Sequence, residues 1–266
     1  MSELENYKIY RIENGENTNY LSCLILSLFY NKTVIYSLFL ENDNIKPNYI
    51  YIQELIKNII NNMKKFYFIN SNSLDHLKSI IYMNNFKDID TILQSCKIEE
   101  LFDYLFDIFS VNKIQLINLN NNAIIDNVTY LKLECNDYNT TVKNLIKKNY
   151  SFQILNNIPK FMAFKLDRIN TDMIIDIQKK ITMNSIFNLE SITNTSSSDA
   201  RNLIWYIYTI ICYDDETKKY FSYVNYNNNW FKISDYNENS IIKIEIKSEE
   251  YIIKLKSIFL IYILDK

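Results

Sequence analysis

The chain has 266 residues and 31.9 kDa, of which 48% are hydrophobic and 15% aromatic, enough apolar material for a sizeable core and too much for wholesale disorder. Its 29 basic and 31 acidic residues are interspersed and leave a net charge of -2, so there is no general phosphate-binding surface and nucleic acid is not expected as a partner. The longest apolar runs, 203–213 and 257–264, fall short of the roughly 18 residues a bilayer span needs; with a polar N-terminus, MSELENYK, that lacks an apolar signal core, the expected place is the cytoplasm or nucleus, neither secreted nor membrane-bound.

Along the chain, the stretch GENTNYLSCLILSLFY at 15–30 holds the only glycine. A helix beginning near Asn19 carries Tyr20, Leu21, Leu24, Ile25, Leu28 and Phe29 on every face, the pattern of a central, buried helix. Ile52, Leu55, Ile56, Ile59, Ile60 and Met63 mark an amphipathic helix, Leu74, Leu77, Ile80 and Ile81 another behind the cap-like SNS, and Ile98, Leu101, Phe102, Leu105 and Phe106 a third. From about residue 111 the runs KIQLINL, VTYLKLEC, KFMAFKLDR, LIWYIYTIICYDD, KKYFSYVNY, NWFKISD, IIKIEIK and SIFLIYIL read as strands. The NNN between KKYFSYVNY and NWFKISD suits a hairpin turn, because asparagine tolerates left-handed backbone, and SITNTSSSDA at 191–200 reads as a polar loop.

Helices first and strands later make an α+β chain. Without a Pro/Gly/Ser-rich linker the expected organisation is one domain over 1–266, helical to about 110 and β-rich from about 111. The cysteines at 23, 96, 135 and 212 form no CxxC pair. Buried free thiols are expected in place of a zinc site or disulfides, and no metal or cofactor is implied. The abundance of Asn, Ile, Lys and Tyr with little Gly, Pro and Ala matches A+T-rich codons and so a large DNA virus or a protozoan as source.

Several segments resemble, in order, the boxes of the ubiquitin-specific proteases, papain-like cysteine proteases that cut ubiquitin from its targets. NGENTNYLSCLILSLF, from Asn14 to Phe29, is similar to the family's N-x-G-N-T-C-Y-x-N-S-x-x-Q-x-L with the glycine displaced by one position. NIPKFMAFKLDRI resembles "lPxxLxxxLkRF", with Pro159 one of two prolines in the chain; YIYTIICYDDETKKYFSYVNYNNNWFKISDYN resembles the box around G-H-Y and W-y-x-f-D-D; SIFLIYILDK resembles the closing strand. The resemblance implies a papain-like fold, with an N-terminal helical half packed against a C-terminal antiparallel sheet and a groove between them. The zinc-binding fingers are missing, since only about twenty residues stand where the family often carries them, and TTVKNLIKK in that gap resembles the short helix before that insertion. CKIEEL at 96–101 is an eroded Q-D-A-x-E-F box.

The resemblance also implies a nucleophilic Cys at the head of the helix, activated by the helix end and a His. Here the nucleophile position is Asn19, a neutral carboxamide, and the base position is Lys219, whose ammonium cannot accept a proton near neutral pH. Asn14 matches the oxyanion-stabilising position and Asp235 the orienting carboxylate, which Lys219 would meet as a structural ion pair. The first reading is a pseudoenzyme serving as a binding or scaffold module. Its groove, lined by Asn14, Asn19, Lys219, Tyr220, Trp230 and Asp235, would take a protein partner, ubiquitin or a ubiquitin-like modifier among the candidates. The alternatives are an active cysteine hydrolase with its nucleophile moved to Cys23 or Cys96 and the single histidine, His76, as base, and a structural subunit of a larger, viral assembly with its groove filled by the chain's own side chains.

Overall fold

The computed structural model of the chain describes residues 11–13, 15, 17–31, 33–41, 46–84, 98–118, 120, 121, 123–150, 153–155, 158–169, 174–176, 178–187, 204–234 and 241–264. They gather into two compact units, 1–111 with 219–244, and 112–218 with 245–266. The strands within 219–233 and 241–244 thus group with the helices.

The helical unit is built around α1 (Asn19–Phe29), in which every residue from Tyr20 to Phe29 is buried, as its all-round apolar pattern requires. Around it lie α2 (Val34–Leu40), α4 (Ser71–Met83), α5 (Ile98–Phe109) and the strand Lys219–Tyr226, with α3 (Ile50–Phe66) packed on α4 and α5. The expected apolar faces hold: α3 buries Ile52, Ile56, Ile59, Ile60 and Met63, and α4 buries Leu74, Leu77 and Ile81 behind Asn70, whose side chain accepts the Ser73 N–H at 2.8 Å. Helix α2 was not apparent from periodicity. Thr33 caps it, and it carries Phe39 into the middle of an aromatic cluster with Phe29, Phe106 and Phe109 at centroid distances of 5.8, 5.3 and 5.9 Å.

In the same unit Lys219–Tyr226, Asn229–Ile233 and Ile241–Ile244 form an antiparallel meander. Asn227 and Asn228, at φ 48° and 60°, make the two-residue turn expected of NNN. Glycine adopts this backbone with less strain than asparagine, although it gives up more entropy on folding. Asn228→Gly is therefore expected to raise stability by about 0.5 kcal/mol, read as a higher denaturation midpoint at unchanged slope. On the hairpin face turned to α1, the Tyr30 ring meets Phe231 at 5.8 Å and Tyr226 at 6.2 Å.

The second unit is not purely antiparallel, as the resemblance had led us to expect. Trp205–Asp214, Ser257–Leu264 and Phe161–Asp167 pair antiparallel in that order, but Leu131–Glu134 joins Phe161–Asp167 in parallel. A parallel neighbour needs a crossover, and α6 (Val142–Asn149), on the segment that resembles the family's short helix, lies on it. Ile241–Ile244 ends before the rest of IIKIEIK, which turns into a short 3-10 stretch and the helix Glu250–Lys256. A second small sheet, Ile124–Val128, Ile114–Asn118 and Gln153–Leu155, completes the unit with the parallel pair Asn139–Thr141 and Lys180–Thr182.

At the end of the Phe161–Asp167 strand, Arg168 is 3% exposed. Its guanidinium donates to the backbone carbonyls of Lys254 at 2.9 Å, Ser257 at 3.4 Å and Asp176 at 3.3 Å. Burial pulls its pKa down, and the carbonyl ends of the Glu250–Lys256 helix supply the negative dipole that holds the charge in place. Cys23, Cys135 and Cys212 are buried, as expected, with burial pushing the Cys135 thiol up to about 11. Cys96 and the 191–200 segment lie outside the described residues, among which no single helix is long and apolar enough to cross a membrane.

Candidate functional site

The loop before α1 is shaped by two residues with different tasks. Asn17 takes the left-handed conformation, φ 54°, which turns the chain into the helix. Gly15, the sole glycine, does not sit at positive φ. Its requirement is spatial: a β-carbon at position 15 would collide with the carboxylate of Asp75 on α4. Thr18, fully buried, leaves the helix end uncapped by its side chain and instead donates its hydroxyl to the Gly15 carbonyl at 3.2 Å.

This loop delivers Asn19 as the first residue of α1, half-buried, where a helix end concentrates positive potential. The Asn19 side-chain oxygen accepts the backbone N–H of Tyr220 at 2.5 Å, across 201 residues of sequence. The Asn19 carbonyl in turn accepts the Ser22 hydroxyl at 3.0 Å. Asn19, Lys219 and Tyr220 are therefore brought together, with Lys219 half-buried at the start of the strand and Tyr220 2% exposed next to it.

The other residues singled out from the sequence divide differently. Asn14 and Asp235 lie outside the described residues, so the Lys219–Asp235 pair does too. Trp230 is not beside Asn19. It pairs with Asn225 near the turn of the hairpin, roughly 17 Å from Tyr220 along a strand that rises about 3.4 Å per residue.

Cys23 lies one turn into α1 at 3% exposure. His76 is exposed on α4, with its ring nitrogen 3.3 Å from the Tyr51 hydroxyl of α3. Among the described residues no group of three or more His, Cys, Asp or Glu could hold a metal ion. Among the described residues the site brings together a carboxamide that accepts a backbone N–H, a lysine side chain and a buried phenol. Asp75 is the member that sequence reading missed. It lies on the polar side of an amphipathic helix, and nothing local to SNSLDH marks it as the partner of a distant glycine.

No protein-family model and no curated protein matches the sequence. The fold does match solved structures. A chain of the SAGA Ubp8/Sgf11/Sus1/Sgf73 DUB module bound to ubiquitin aldehyde superposes with a TM-score of 0.69 at 12% identity, over 100% of this chain and 71% of that one. The same module bound to monoubiquitin gives 0.69 at 10% identity with the same coverage, and the module in a third structure gives 0.62 at 12%, over 100% and 70%. The chain thus has the α+β fold of a ubiquitin-specific protease domain, and at these identities the likeness extends to the fold alone.

Proposed function

We propose that the chain is a catalytically inactive ubiquitin-specific protease-like domain that works by binding a protein, with ubiquitin or a related modifier as the first candidate. The observation that carries this reading is Asn19: where the family has its thiol nucleophile stands a carboxamide, and its oxygen is already engaged by the Tyr220 N–H. A carboxamide does not attack an acyl carbon near neutral pH, and an ammonium at the base position has no lone pair with which to accept a proton. The relocated dyad loses support on the same ground of access, since Cys23 is sealed inside α1 while His76 faces outward against Tyr51. Retention of the whole fold without the reacting groups suits a surface that is selected for contact. The neighbours bound to ubiquitin aldehyde and monoubiquitin make ubiquitin the natural ligand to try.

The test pairs a calorimetric or NMR titration of ubiquitin with a fluorogenic ubiquitin cleavage assay on the same sample. The expected result is saturable binding with no turnover. Turnover abolished by Cys23→Ser or Cys96→Ser would overturn the reading in favour of a cysteine hydrolase. A second reading, a structural subunit of an assembly, is favoured by the same Asn19–Tyr220 bond, because a site satisfied from within the chain needs no ligand. That reading expects neither binding nor turnover.

A further inference from the structure

We propose that Asp75 is a positioning residue for this site: its carboxylate, seated on the bare α-carbon of Gly15, sets the loop into α1 and so places the Asn19 carboxamide on the Tyr220 N–H. Three observations meet here. A chain that uses one glycine in 266 residues uses it at the spot where a β-carbon would strike the Asp75 carboxylate, so the close approach is what that glycine is for. The Gly15 carbonyl is tied by the Thr18 hydroxyl to the residue directly before Asn19, so a shift at position 15 is carried to the head of the helix. The helix end itself has no acidic residue in its first turn and no side-chain cap, so the loop before it, and no local cap, sets how the chain enters the helix.

Helices α4 and α1 also meet through their packed faces and through the hydroxyls of Tyr20 and Tyr82, 3.5 Å apart, so the pair does not rest on the Asp75 contact alone. Loss of the Asp75 contact therefore acts on the loop and leaves the helix pair standing. The chain Asp75, Gly15, Thr18, Asn19, Tyr220 works as a latch: α4 presses the loop, the loop fixes the helix head, and the helix head holds the strand that begins at Lys219. The latch lies within the helical unit and rests on the geometry around Asn19, whether or not ubiquitin is the partner.

The experiment is amide hydrogen exchange of the full chain by NMR, read at Tyr220, with Val224 and Phe231 further along the hairpin as internal controls. Asn19→Ala removes the acceptor and sets the scale. Asp75→Ala is expected to raise Tyr220 exchange by about tenfold or more while leaving the controls unchanged, as local opening does. In the Asn19→Ala background Asp75→Ala should add nothing further at Tyr220, because the bond it positions is already gone. Gly15→Ala should behave like Asp75→Ala, and the double variant Gly15→Ala with Asp75→Ala should recover part of the protection, since the new methyl group then has the space the carboxylate left. Wild-type exchange at Tyr220 in Asp75→Ala overturns the proposal, as does an effect of equal size with and without Asn19 or a uniform rise across the controls. A ubiquitin titration of Asp75→Ala keeps the two readings apart: failure to bind ubiquitin bears on the proposed function, and failure to alter Tyr220 exchange bears on the latch.

Discussion

Phe39→Ala is expected to lower the stability of the helical unit by about 3–5 kcal/mol, the range for deleting a fully buried aromatic ring. Phe39 has no exposed surface and touches three other rings, Phe29 on α1 and Phe106 and Phe109 on α5, each near edge-on. The contact therefore loses apolar burial and the edge-to-face electrostatics together. The helices that carry these rings pack directly on α2, and α1 is buried from Tyr20 to Phe29, so the cavity cannot collapse cheaply. Phe39→Leu refills most of the volume and should cost much less, about 1–1.5 kcal/mol. Chemical denaturation of both variants checks the pair, and equal losses for Ala and Leu would show that ring geometry outweighs volume at this position.

The residue that dominates this prediction is one that hydrophobic periodicity did not single out. VIYSLFL is short, β-branched at its start and aromatic in its middle, so propensity alone leans toward strand. It becomes a helix because Thr33 caps its first turn and because α1 and α5 offer its apolar side a place to pack, and the second of these causes is tertiary. By contrast α1, α3, α4 and α5 were legible because each spells its burial locally, through repeats of three and four or through apolar residues all round. The Asn227–Asn228 turn was legible for a similar local reason.

Non-local features divide along a different line. The parallel pairing of Leu131–Glu134 with Phe161–Asp167 depends on where the α6 crossover lands, which no run of residues encodes by itself. The meeting of Asn19 with the Lys219–Tyr220 end of its strand was accessible through the ordered family-like boxes, whereas the boxes also suggested Trp230 as a neighbour, and the hairpin register carries it to the other end. The sole glycine was conspicuous in the sequence, but its cause was not. A turn is the usual reason to keep a glycine, and here the left-handed turn falls to Asn17 while Gly15 makes room for Asp75.

Arg168→Ala is expected to cost about 3 kcal/mol, because it strands carbonyl oxygens that the guanidinium satisfies in a place water does not reach. The side chain ties three separate segments: the Lys254 and Ser257 carbonyls, where the Glu250–Lys256 helix passes into the strand Ser257–Leu264, and the Asp176 carbonyl, while its own backbone ends the Phe161–Asp167 strand. Since the described residues hold it through backbone carbonyls, the loss should depend less on salt than that of a surface bridge such as Lys148–Asp137. Arg168→Lys separates charge from shape. An ammonium keeps the cation but is a point donor on a narrower head, unable to span three carbonyls as a planar fork does. It should therefore recover less than half of the loss, and denaturation in low and high salt is the measurement. Full rescue by lysine would mean that positive charge at the helix end is the whole of the effect; poor rescue with salt-independent midpoints means that the fork geometry is what joins helix, strand and loop into one unit.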